Sequence, residues 1–231
     1  MEDAPSFTST STSTRVLYSF WLSSCSWRVR FALNFKGLEY EYKSVDLFEG
    51  EQFNPEFEQI NPLRYVPVLI DDGIVVSDSL AILMYLEDKY PENQLLPIDP
   101  CKRALALQAC NIGCQHRQLQ HTATSHELSE SIKKKISEED SSTWAQTVIN
   151  KGFLALEMLL KDFAGRYCIG DDVSMADVFL APQISIAMSR FNIDMSKYPT
   201  ICKVYESCKA LPEFQASVPE RQPDAKKSVI A

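Results

Sequence analysis

The run Ser23-Ser24-Cys25-Ser26-Trp27-Arg28-Val29-Arg30 gathers three hydroxyls and a thiol where an alternating, strand-like stretch gives way to a helical period. A helix that begins there offers free N–H donors and the positive end of its dipole, which favour an anion beside them. A sulfur so placed, that of Cys25 or of a bound thiol, has its pKa lowered and becomes a better nucleophile near neutral pH. The same residues also suit a plainer role, in which Ser23 or Ser24 caps the helix and Cys25 packs. A second constellation pairs Val66-Pro67 with Ser77-Asp78-Ser79. A cis proline leaves the preceding amide facing outward for an extended peptide, and Ser79 at a helix start offers a hydroxyl and an amide to a carboxylate. A simple turn and cap is the alternative. Cys110 and Cys114, with His116 and His121, raise the question of zinc, but their spacing matches no tight-turn cysteine pair. A packed helix with free thiols is the better reading, and no metal site is expected.

Positioning these groups requires a particular order of elements. Arg15 to Phe20 alternates as a strand, Trp27 to Lys36 follows a helical period that Gly37 stops, and Tyr40 to Val45 is a second strand. Strand, helix, strand makes two parallel strands with a crossover helix. After the polar stretch 49–59, two apolar runs around Asp71-Asp72-Gly73 form a hairpin. Pro67 marks a bend or edge at its start. Ser77-Asp78-Ser79 then caps a helix over Leu80 to Lys89. Pro91, Pro97 and Pro100 punctuate a linker, beyond which only helical periods appear, in four or five segments. Among them Ser174-Met175-Ala176-Asp177 is a capping box, flanked by Val173 and Val178 as a hydrophobic staple. The expected fold is α/β plus all-α, a βαβ-ββα unit followed by an all-helical domain. The expected bounds are a lead-in at 1–13, the α/β domain at 14–90, a linker at 91–100, the helical domain at 101–223 and a tail at 224–231.

Bulk properties narrow the class. With 23 Lys and Arg against 31 Asp and Glu, the net charge is −8, which argues against a non-specific binder of nucleic acid or anionic membranes. Seven cysteines at irregular spacings fit reduced thiols in a cytoplasmic compartment. No run of about 18 apolar residues predicts a membrane span. The Ser/Thr-rich start reads as a disordered lead-in; Glu2 and Asp3 weigh against a transit peptide. The run Lys133-Lys134-Lys135 beside Glu138-Glu139-Asp140 reads as a solvated helix end and loop.

The Ser23-to-Arg30 string resembles the signature of zeta-class glutathione transferases, the maleylacetoacetate isomerase family. The likeness continues through Asn61-Pro62, Val66-Pro67, Asp78-Ser79-Leu80-Ala81-Ile82, Leu95-Leu96-Pro97, Trp144-Ala145-Gln146, Tyr167 to Asp171, Met175-Ala176-Asp177 and Pro199-Thr200-Ile201. It spans about residues 14–224 and implies a thioredoxin-like first domain, glutathione as cofactor and a homodimer. It further implies that Ser24 hydrogen-bonds the glutathione sulfur, with Cys25 shaping the thiol site and Ser23 beside them. Gln52 would meet the glycyl end, Val66 the cysteinyl backbone, and Asp78 with Ser79 the γ-glutamyl end. Arg190 would meet a substrate carboxylate, as a planar cationic fork can. The family reaction is cis-trans isomerisation of maleylacetoacetate to fumarylacetoacetate, a step of tyrosine and phenylalanine catabolism.

One segment departs from the family pattern. Where the family carries Gly-Ile-Gln-Pro-Leu-Gln-Asn-Leu, this chain has Gln115-His116-Arg117-Gln118-Leu119-Gln120-His121-Thr122, which sets Arg117 as a cation in the second-substrate region. Conjugation or dehalogenation of small α-halo acids, and a non-catalytic glutathione-binding protein, are the alternatives this departure keeps open.

Overall fold

In a computed structural model of the chain, residues 15–124 and 138–226 are described, the side chains of 114–124 and 138–141 excepted. The expected lead-in at 1–13 and Lys133 to Lys135 lie outside the described residues, as do the side chains of Cys114, His116, Arg117 and His121.

The first half is a four-stranded sheet in the order β2-β1-β3-β4. Strand β1 (Val16–Ser19) pairs in parallel with β2 (Glu41–Ser44) and antiparallel with β3 (Val68–Asp71), which pairs antiparallel with β4 (Ile74–Ser77). The hairpin between β3 and β4 turns on Asp72 and Gly73, both at positive φ (50° and 80°). Two successive left-handed residues match the right-handed twist of the flanking strands, which is why Asp-Gly is so strong a hairpin signal. Helix α1 (Ser24–Phe35) crosses between β1 and β2 and ends at Gly37, whose φ is 68°. Helix α3 (Ser79–Lys89) completes the unit.

The polar stretch 49–59 carries more structure than its composition indicates. A 3-10 turn (Glu51–Phe53) leads into the short helix α2 (Pro55–Ile60), in which only Phe57 is buried. Phe57 and the partly buried Ile60 are too few to read as an apolar period, whereas Pro55 at the first helical position sets the backbone directly.

The second half is helical: α4 (Pro100–Thr124), α5 (Glu138–Leu160), α6 (Met175–Phe191), α7 (Pro199–Lys209) and α8 (Pro212–Ser217). Pro100, read from sequence as part of the linker, is instead the first residue of α4. The capping box forms at the start of α6, where Asp177 Oδ2 accepts from the Ser174 amide (2.8 Å) and hydroxyl (2.6 Å). Asp177 Oδ1 also accepts from the Cys168 amide at 2.8 Å, so the box fixes the preceding loop as well.

The halves share one core. Helix α1 is buried along almost its whole length and packs against α3, α6 and α8. Trp27 and Phe31 meet Phe214 of α8 with ring centroids 5.2 and 5.3 Å apart. Lys36, Glu87 and the linker are tied by a buried ion pair of 2.8 Å, with the Glu87 carboxylate also accepting from the Leu95 and Leu96 amides.

Candidate active site

The β1-α1 turn is held from several sides. Ser23 is the N-cap of α1, its Oγ accepting from the Ser26 amide at 3.2 Å, which leaves Ser24 as the first helical residue and Cys25 as the second. The hydroxyl that caps is therefore that of Ser23, and Ser24 is the first residue of the helix proper. Ser24 and Cys25 are both buried (5% and 8% exposed). Arg30, one helical turn on, donates to the Phe20 and Trp21 carbonyls at 3.3 and 3.1 Å and to Ser19 Oγ at 3.0 Å. A buried guanidinium can satisfy several carbonyls at once because its donors form a rigid fork.

Across from this turn, the Val66-Pro67 peptide bond is cis. Asn61 shapes the approach to it by donating from Nδ2 to the Tyr65 carbonyl (2.8 Å) and accepting the Leu63 amide at 3.2 Å. Asp78 caps α3, its Oδ1 accepting from the Leu80 and Ala81 amides at 2.9 and 3.2 Å. Its φ of 82° is a left-handed conformation unusual for a non-glycine residue, the kind of backbone strain that clusters at ligand sites.

These pieces converge on a cleft of about 350 Å³, open to solvent, lined by Cys25, Asn61, Leu63, Tyr65, Val66, Pro67, Ser77, Asp78 and Ser79. Of the residues expected from the sequence, Cys25, Val66, Asp78 and Ser79 meet there, with Ser23 and Ser24 adjoining Cys25 in the chain. Gln52 is not among the lining residues. It is 8% exposed, and its Oε1 accepts no hydrogen bond among the described residues. An amide oxygen buried this way costs stability unless a ligand supplies a donor.

Arg190, in the last turn of α6, is exposed at its surface, and partial desolvation lowers its pKa, with no acidic neighbour among the described residues opposing the shift. Such a guanidinium remains cationic at neutral pH and can receive an anion. Arg117 belongs to α4, but its side chain lies outside the described residues. The described cysteines are free thiols, Cys110 is buried, and no cluster of three metal-binding side chains occurs among the described residues.

Sequence reasoning missed Arg28. Its guanidinium is fully buried and reaches Ser79 Oγ (3.5 Å), Cys25 Sγ (3.9 Å) and Gln183 Oε1 of α6 (3.1 Å). The signal was its position three residues after Cys25, the spacing that brings side chains together on a helix. Leu63 and Tyr65 were also missed, since nothing in the string announces that a loop lines a cleft.

Residues 17–94 match the N-terminal domain model of glutathione S-transferases and residues 121–217 the C-terminal domain model. The first match covers the four-stranded sheet and the cleft, and the second lies in the helical half. The chain belongs to the glutathione S-transferase family, in its zeta class. It is 51% identical to a zeta-class glutathione S-transferase of Euphorbia esula over 210 residues, covering 90% of this chain and 92% of the relative. It is 47% identical to the maleylacetoacetate isomerase of Rattus norvegicus over 212 residues, covering 90% and 94%. A solved maleylacetoacetate isomerase from Anaeromyxobacter dehalogenans, with glutathione bound in its active site, superimposes with a TM-score of 0.82 at 40% identity, covering 93% and 99%.

Proposed function

We propose that this protein binds glutathione in the cleft between Cys25 and Ser79 and uses it to isomerise maleylacetoacetate to fumarylacetoacetate. The observation that carries this reading is the convergence, in one cleft, of a helix N-terminal turn with buried hydroxyl and thiol groups and the strained Asp78-Ser79 cap. When bound, glutathione would supply a thiolate nucleophile for reversible addition to the cis double bond of the substrate, the chemistry that cis-trans isomerisation needs.

The chain's own residues do the rest. Ser24, relieved of capping by Ser23, donates its hydroxyl to the sulfur and favours the anion, helped by the dipole end of α1. Cys25 shapes the floor of the thiol site. Val66 offers its backbone to the cysteinyl unit, and Asp78 and Ser79 hold the γ-glutamyl end through an acidic oxygen, a hydroxyl and a helix N–H. Gln52 meets the glycyl end, where a peptide N–H satisfies its orphaned oxygen. Arg190 and Arg117 hold the carboxylates of an acidic electrophile.

The active species is a homodimer in the cytoplasm. Among the described residues no helix is long and apolar enough to cross a membrane. The test is a glutathione-dependent assay of maleylacetone by the purified chain, run beside calorimetric titration with glutathione. Turnover that requires glutathione supports the reading. Heat of binding with no turnover of maleylacetone overturns the isomerase and leaves a binding protein, and absence of any heat overturns the site.

A further inference from the structure

The proposed site accounts for the residues that face the cleft, but not for the cation directly beneath it. Arg28 is fully buried on α1, and its face lies 4.5 Å from the centre of the Phe179 ring. One Nη atom reaches two residues of the cleft lining, Ser79 Oγ at 3.5 Å and Cys25 Sγ at 3.9 Å, while the other donates to Gln183 Oε1 at 3.1 Å. A guanidinium has donors and no acceptor. Its bond to Ser79 therefore occupies a lone pair of the hydroxyl oxygen, and the single O–H of Ser79 is left to donate elsewhere. The elsewhere is the cleft, because Ser79 is itself 1% exposed and lines it.

From this geometry we infer that Arg28 is a positioning residue for the anionic end of the ligand: it fixes Ser79 as a donor towards the γ-glutamyl carboxylate. Gln183 and Phe179 hold Arg28 from α6, so the helical domain sets the polarity of a hydroxyl in the thioredoxin-like domain. A glutamine or serine in place of Arg28 offers acceptors as well as donors, and the Ser79 hydroxyl can then turn inward. This role rests on the proposed glutathione site, and its test separates the two.

The experiment is calorimetric titration of the full chain with two probes: glutathione, and the tripeptide in which 4-aminobutyrate replaces the γ-glutamyl residue and so lacks its α-carboxylate. Arg28→Gln is expected to weaken glutathione about tenfold and the analogue less than twofold, so that the variant discriminates less between the two probes than wild type. Arg28→Lys, which keeps donors and charge, is expected to recover most of the discrimination. In a Ser79→Ala background, Arg28→Gln is expected to add less than twofold to the loss already present. Should Arg28→Gln fail to fold, Gln183→Leu, which releases the guanidinium from α6, carries the same comparison with a smaller loss of discrimination. An equal loss for both probes overturns the role, because a merely structural arginine does not distinguish them. Failure of the wild type to bind glutathione overturns the proposed site and this role with it.

Discussion

Asp224 accepts the backbone amide of Trp21 at 3.0 Å, joining two residues 203 positions apart. The same carboxylate accepts the Tyr42 hydroxyl at 2.7 Å, and burial raises the pKa of that hydroxyl, so it stays a donor. The segment after α8 therefore straps the β1-α1 turn and β2 together. Ser217 completes the strap: its Oγ accepts from the Trp27 indole at 2.8 Å and its carbonyl from Arg30 at 3.2 Å.

Asp224→Ala is expected to cost about 2 kcal/mol, since it leaves a part-buried amide and a hydroxyl unpaired. The melting temperature should fall by about 5 °C. Amide exchange at Trp21 should quicken, and Asp224→Asn should restore part of both. Unchanged exchange at Trp21 would show that the strap does not hold the turn.

Ser24→Ala is expected to raise the thiol pKa of bound glutathione by about one unit, read as the pH midpoint of thiolate absorbance. The rate near neutral pH should drop about tenfold, with glutathione affinity nearly unchanged. A midpoint that stays put removes Ser24 from the chemistry.

Arg190→Ala should raise KM for a maleyl diketo acid about tenfold while leaving glutathione binding alone, with Arg190→Lys intermediate. An unaltered KM assigns the substrate carboxylate to some other cation.

Asp71 has no exposed side-chain surface and meets Arg15 at 3.4 Å, Lys89 at 3.1 Å and Tyr90 at 2.7 Å. Burial alone raises its pKa, but the hydrogen bonds from Tyr90 and Lys89 and the charge of Arg15 outweigh it, so the net shift is below 3.8. A depressed carboxylate stabilises the fold above its unfolded pKa, and that contribution disappears as pH falls through the folded value. Asp71→Ala should lose about 3 kcal/mol at neutral pH, because it takes the carboxylate away from the buried Arg15 guanidinium. The gap from wild type in urea midpoints should close below the 3.8 reference. A gap that persists undiminished in acid would refute the ionic account.

What the sequence disclosed follows from the range of each interaction. Strand β1, helix α1, the Asp-Gly hairpin and the Ser174-Asp177 box are encoded within a few neighbouring residues, and each forms near its expected place. Helix α2 escaped because it is only six residues long and carries just Phe57 and Ile60 towards the core. The bonds from Arg28 to Gln183 and from Trp21 to Asp224 cross 155 and 203 positions, so no local pattern announces them. For the site, string resemblance supplied Cys25, Val66, Asp78 and Ser79, which the cleft gathers. It gave no hint of Leu63 or Tyr65, because a loop's exposure is decided by packing, and the spacing of Arg28 from Cys25 pointed to a neighbour on α1 but not to Ser79 or Gln183.

Helix α1 is shared property: its aromatic side is covered by α8 and its arginines donate to residues from both halves of the chain. The two halves are consequently not cassettes. A chimera that joins residues 15–90 to the helical half of another relative inherits two guanidiniums, an indole and a phenyl ring that were shaped for a different helical domain. Recombination within this lineage is thus constrained to exchange α1 together with Phe179, Gln183, Phe214 and Ser217, or to leave all of them in place.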